Sequence, residues 1–150
     1  MIRPLLAGIL ACFLLSGCVI PLTPAELDRN ENHSYPGRSR AQVYRATATA
    51  LRSLGYEITL ADDGAGRIKT APKLITATAH GSGSGAVATE NSVAWNIDVT
   101  SASGGAALRA EPRGYSGGQV VPPNQINGMY LKKLFATLYG EIDSDLPGSK

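Results

Sequence analysis

The sequence predicts an α+β domain: an antiparallel sheet of three to four strands with two helices on one face, in the order α-β-β-β-β-α. Three features carry that reading. Val93, Trp95, Ile97 and Val99 alternate with Ala94, Asn96, Asp98 and Thr100, the period of a strand with one buried face. Apolar side chains fall at helical spacing before this region, from Val43 to Leu54, and again after it, from Tyr130 to Leu138. Two amphipathic helices and a sheet of alternating strands bury their apolar surfaces together only if both helices lie on the same side.

The first helix is expected from Arg40 to Leu54. Ser39 and Gln42 have the capping-box spacing, in which each side chain reaches the other's backbone N–H. Val43, Thr47, Ala50, Leu51 and Leu54 line one face, with Arg40, Arg45 and Arg52 mostly off it. Gly55 ends the helix, because glycine takes the left-handed cap conformation without a steric penalty. Tyr56, Ile58 and Leu60 then alternate with Glu57 and Thr59 as a strand, and Asp62-Asp63-Gly64-Ala65-Gly66 forms a turn. Arg67 to Thr70 resumes the sheet, and the β-prone run Leu74 to Thr78 continues it beyond a break at Pro72. The glycines at 81, 83 and 85 read as a loop.

The strand through Trp95 pairs with the one that begins at Ala106. A two-residue turn at Ser103-Gly104 sets Val99 opposite Leu108 on the core side and Asp98 opposite Arg109 on the wet side, an attractive cross-strand pair. Residues 112–125 read as an irregular loop. The second helix starts near Asn127, carries Tyr130, Leu131, Leu134, Phe135 and Leu138 toward the sheet, and closes at Gly140. Residues 38–140 thus form a single domain, and 141–150 are expected to be a frayed tail.

Upstream, Arg3 and the apolar run from Leu5 to Leu15, ending in small residues, have the build of a secretory signal peptide over residues 1–17. The run is too short to span a bilayer as a permanent helix. Leu15-Ser16-Gly17-Cys18 resembles the lipobox of bacterial lipoproteins. The resemblance implies cleavage before Cys18, a diacylglyceryl thioether and an amide-linked fatty acid on that residue, and a location on the bacterial envelope. With Val19 rather than Asp following, it implies the periplasmic face of the outer membrane rather than the inner membrane. At about 0.8 kcal/mol per buried CH₂, several acyl chains give effectively permanent attachment.

Residues 18–37 carry Pro21, Pro24 and Pro36 and mixed charges, and read as an extended tether reaching roughly 25 Å if flexible and at most about 60 Å if polyproline-like. Losing Arg3 leaves thirteen basic against twelve acidic residues, a net charge of +1, without the basic stripe that nucleic acid requires. Cys12 leaves with the signal and Cys18 is acylated, so no thiol remains for a disulfide or a nucleophile.

The order of elements, the tether after Cys18, the Leu54-Gly55-Tyr56 exit and the acidic-Gly turn before Ile68 are similar to the helix-grip-like modules of small outer-membrane lipoproteins, among them a lipoprotein subunit of the β-barrel assembly machinery. The resemblance is to the layout and carries over no binding residue.

Candidate chemistry is sparse. Gly114-Tyr115-Ser116-Gly117-Gly118 matches the G-x-S-x-G nucleophile elbow, but His33 and His80 both precede Ser116 and Pro122-Pro123 oppose the required helix. No Gly-Lys-Ser/Thr follows the glycines at 81–85, which excludes a phosphate-cradling loop there. His80 lacks companion ligands for a metal, and Asp62, Asp63, Asp143 and Asp145 read as turn and tail residues without calcium-loop spacing. No cofactor is implied. Trp95 reads as core. Tyr115, with Gln119, in the 112–125 loop, is the candidate partner contact. The expectation is a non-enzymatic interaction module that binds another envelope protein. A hydrolase using Ser116, or a glycan or small-ligand carrier with a groove beside Trp95, are the alternatives.

Overall fold

The structure is a computed structural model that describes residues 20–80 and 87–146. The expected signal peptide over residues 1–17, Cys18, the glycine-rich 81–85 run and the last four residues lie outside the described residues. The chain is α+β as expected, with more elements than the sequence reading allowed. Among the described residues three α-helices accompany seven antiparallel strands, in the order α1 (Pro24–Glu31), β1 (Asn32–Pro36), α2 (Arg40–Ser53), β2 (Ile58–Asp62), β3 (Arg67–Thr70), β4 (Lys73–His80), β5 (Val87–Ala102), β6 (Gly105–Ser116), β7 (Gln119–Val121) and α3 (Gly128–Asp145).

The long hairpin β5–β6 is the spine. Its register has Asp98 opposite Arg109, Val99 opposite Leu108 and a two-residue turn at Ser103-Gly104, as the sequence predicts. At the turn end the sheet runs β1-β6-β5-β3-β2. Toward the other end, β4 replaces β3 beside β5, and β7 replaces β1 beside β6. The handover from β3 to β4 leaves the Trp95 N–H without a strand partner, and the Thr70 hydroxyl accepts it at 2.9 Å. On the far side of the hairpin, β1 pairs with β6 only as far as Arg109 and β7 only from Gly114, so among the described residues no strand lies beside 110–113 there. Pro112, which has no N–H to offer, sits in this gap.

Val93, Trp95, Ile97, Val99, Ala106, Leu108 and Ala110 face the core, where α2 contributes Val43, Ala50 and Leu51 and α3 contributes Leu131, Phe135, Leu138 and Ile142. The two helices share one face of the sheet, and Phe135 meets Trp95 edge-on at 5.4 Å. Each of these larger side chains contributes about 1.5–3 kcal/mol by leaving water. Ser39 and Gln42 form the expected capping box, and beyond Leu54 the Gly55 and Tyr56 N–H groups bond back to Arg52 and Leu51.

Four expectations are corrected. Residues 24–36 are not an extended tether. Thr23 accepts the Glu26 N–H and the Glu26 carboxylate accepts the Thr23 N–H, a second capping box that starts α1 on Pro24. The chain then enters the sheet as β1, with Tyr35 buried against the core. Second, residues 112–125 are not an irregular loop. β6 runs on to Ser116, turns at Gly117-Gly118 into β7, and reaches α3 through a 3-10 turn, Pro123–Gln125.

Third, α3 passes Gly140 without stopping, because Ile142 and Leu146 bury themselves on the same face, so residues 141–145 are helix rather than a frayed tail. Fourth, β2 does not keep the alternation of Tyr56, Ile58 and Leu60. Its pairing with β3 shifts between Ile58 and Leu60, which leaves Leu60 exposed. Among the described residues no helix is long and apolar enough to cross a membrane.

Candidate functional site

A cleft of about 450 Å³ opens where the middle of β4 and of β5 and the ends of β6 and β7 meet the start of α3. Val93 of β5 belongs to the core, and beyond it Asn91 and Ser92 line this cavity together with Asn127 and Tyr130 from the start of α3. Opposite them, Ser116 pairs with Asn91 and Tyr115 with Ser92. Thr76 closes the β4 side, its hydroxyl 3.3 Å from the Asn91 amide nitrogen. Gln125, Asn127 and Tyr130 close the helix side. Asn127 is also the N-cap of α3 and accepts the Met129 N–H at 3.0 Å.

Gly114 shapes the floor. A Cβ there would lie 2.5 Å from Ile126 Cδ1 and 2.9 Å from Val121 Cγ2, so the missing side chain is what admits these two apolar groups beside Val93. The lining is therefore a neutral mixture of hydroxyls, carboxamides, two tyrosines and a few aliphatic carbons. Such a surface recognises by hydrogen bonds and ring contact.

Of the two candidate contacts, Tyr115 lines this cleft, half-buried, between Ser92 of β5 and Val120 of β7. Gln119 does not. It sits opposite Ser116 on the outer side of the hairpin, exposed beside Val120, which is 62% exposed. Ser116 lines the cleft, but Gly114 to Gly118 lead from one strand into another through a tight turn, whereas a nucleophile elbow leads from strand to helix. No imidazole or carboxylate is among the lining side chains to take a proton from it.

A second cleft of about 200 Å³ shares Ile75 and Tyr130 with the first. Trp95, 1% exposed, forms its floor with Leu54, Tyr56, Leu134 and Leu138. The Lys73 ammonium lies 5.1 Å from the centre of the Tyr56 ring and donates to the Leu54 carbonyl. Burial pushes the Tyr56 hydroxyl above its ordinary value.

The remaining candidates are placed elsewhere. His33 is in β1 rather than in a tether, stacked on Tyr139 at 4.7 Å and tilted against Tyr35 at 4.8 Å. His80 ends β4. Asp62 accepts the Ala65 N–H at 2.8 Å and so fixes its turn, and Asp143 and Asp145 belong to α3. Among the described residues, no group of three or more His, Cys, Asp or Glu gathers to hold a metal ion. The residues that reading the chain missed are Asn91, Gln125 and Asn127, neutral side chains whose convergence depends on how far β5 and β6 extend.

No protein-family model matches this chain, and no curated protein matches it. Among solved structures it is similar to a DUF4468 family protein from Bacteroides ovatus ATCC 8483, at 17% identity over 90% of this chain and 91% of that one, with a TM-score of 0.34. A likeness that loose bears on neither fold nor function.

Proposed function

We propose that this chain is a lipid-anchored protein of the bacterial envelope, held through Cys18 on the periplasmic face of the outer membrane, whose domain binds another envelope protein without catalysing a reaction. The observation that carries the reading is Leu15-Ser16-Gly17-Cys18 at the end of a charged and then apolar leader. An anchor fixes where a domain works, and a domain fixed in place acts on what it touches. The Tyr115 cleft supports contact with an extended, neutral stretch of a partner. Tyr115 supplies a ring, Asn91 and Gln125 supply amide groups that can pair with a peptide backbone, and among the described residues the outer sides of β4 and β7 have no strand beyond them.

The same neutral lining favours a second reading, a carrier of a small glycan-like ligand, which would use the hydroxyl and amide groups and the two tyrosine rings. The two are separated by a photo-crosslinking side chain placed at position 115 in intact cells, with position 101 as control. A discrete protein adduct specific to position 115 supports the first. Adducts shared by both positions, or none, count against it, and a small-molecule adduct at position 115 supports the second. Mass measurement of the mature chain tests the anchor directly, and a Cys18→Ser variant is expected to leave the membrane fraction.

A further inference from the structure

Resting on the anchored reading, we propose that the corner of the domain formed by Ile20, Met129 and Lys133 lies against the lipid leaflet, so that the protein is seated on its membrane rather than swinging from it. The sequence reading allowed a tether of nineteen residues beyond Cys18. The fold uses up nearly all of it. The Ile20 carbonyl accepts the Gly128 N–H at 2.9 Å, and Leu22, 7% exposed, belongs to the core. Gly128 makes room for this approach, since a Cβ on it would stand 2.7 Å from the Ile20 oxygen and 3.0 Å from the Leu22 nitrogen.

Only two residue steps separate Ile20 from Cys18, a reach of about 7 Å when fully extended. The headgroup layer on one side of a bilayer is itself about 5–8 Å deep. A domain held at that distance by acyl chains in the hydrocarbon cannot clear the headgroups at this corner.

What the corner exposes fits that neighbour. Ile20 is 73% and Met129 80% exposed, two of the few large apolar side chains on the surface among the described residues, and just beyond them on α3 stand Lys133 and Lys132, the latter paired with Glu26 at 3.0 Å. Apolar tips entering the boundary with amines at headgroup height are the composition of an interfacial contact. Asn127 lines both the groove that holds Ile20 and Met129 and the Tyr115 cleft, which puts the cleft at the membrane end. The Ser103-Gly104 turn lies at the far end of the twelve residues of β6, roughly 35–40 Å away.

The test uses the full acylated chain, purified from membranes and reconstituted into phosphatidylcholine vesicles. A single new cysteine replaces Met129 or Ser103 and carries a fluorophore; it is the only free thiol once Cys12 has left and Cys18 is alkylated. With a nitroxide quencher in the lipid, the label at 129 is expected to be quenched several-fold more than the label at 103. Equal quenching at both positions, in protein whose mass shows the acyl chains, overturns the seating and leaves the anchor standing. A mass without acyl chains removes the anchor, and the proposal with it. Self-quenching at 129 that rises with the protein-to-lipid ratio would assign the corner to a second copy and overturn the proposal.

Discussion

The Tyr139 hydroxyl donates to the Asn30 carbonyl at 2.6 Å, and the Glu31 carbonyl lies 3.1 Å from the same oxygen. This joins the last helix to the end of the first across more than a hundred residues of chain, and it holds α1 on the domain. Tyr139→Phe keeps the stacking on His33 and Phe135 and removes only the hydroxyl. The loss expected is about 1 kcal/mol of stability by urea unfolding at neutral pH. Burial holds this hydroxyl above its ordinary value of 10.0, so its contribution is complete below pH 10 and fades as the pH rises beyond it. Tyr139→Phe should lose less than the parent between neutral and strongly alkaline pH.

Glu26 carries a pH dependence of the opposite sign. Its carboxylate accepts the Thr23 N–H and pairs with Lys132 at 3.0 Å, which holds its pKa at about 2 instead of 4.5. The unfolded chain therefore takes up this proton first, and the stabilisation present above pH 4.5 is lost as the pH falls toward 2. Glu26→Gln preserves a side chain able to cap the helix and removes the charge. The gap in unfolding midpoint between parent and variant is expected to be widest near neutral pH and to close on acidification. A gap that does not change from pH 7 to pH 2 would contradict this.

Two glycines with the same backbone conformation should respond very differently to alanine. Gly66 has φ +73°, and a Cβ on it would meet the Val99 carbonyl oxygen at 2.1 Å. Gly104 has φ +79° and open space around it. Gly104→Ala pays only the left-handed backbone strain, about 1–2 kcal/mol. Gly66→Ala must also push β5 away, where Val99 now donates its N–H to the Gly66 carbonyl at 2.8 Å, and should lose more than about 3 kcal/mol. Thermal or urea unfolding of the pair checks the ranking.

Asp98 and Arg109 stand opposite one another, yet the guanidinium is drawn elsewhere. It pairs with Glu111 at 2.9 Å and reaches Glu31 at 3.5 Å, whose side chain is 11% exposed. Burial raises the Glu31 carboxyl above its ordinary value, with Arg109 opposing the rise. Asp98→Ala should change stability by no more than about 0.5 kcal/mol. Arg109→Met leaves a buried carboxylate without its cation and should lose about 1–3 kcal/mol, much of it restored when Glu31→Gln is added. A double-mutant cycle in urea measures the coupling.

Where local chemistry decided the structure, the residues declared it. Ser39 and Gln42 announced α2, Gly55 its end, Asn127 the start of α3, and the Ser103-Gly104 turn the hairpin register, although the attraction expected between Asp98 and Arg109 is not made. Thr23-Pro24-Ala25-Glu26 announced α1 just as clearly, but three prolines and scattered charges argued for a tether, and the contacts that hold α1 come from Tyr139 and Lys132 far along the chain.

Gly140 did not stop α3, because the pull of Ile142 and Leu146 toward the core outweighs one exposed glycine. Pro112 and the glycines at 117 and 118 read as loop, though they are a gap in the pairing and a hairpin turn. Tyr115 could be singled out by its setting. Asn91, Gln125 and Asn127 could not, since no pattern marks neutral side chains that meet only in three dimensions.

The interval in β6 between Arg109 and Gly114 bears on how copies of this chain behave when they are concentrated. A bare stretch of backbone in a sheet is a template on which another molecule can lay a strand and begin an aggregate. Here the stretch spans only residues 110–113 and Pro112 interrupts it, so an intruding strand finds neither the length nor the N–H donors it needs to take hold. Crowding many copies together should not zip them to one another along this margin.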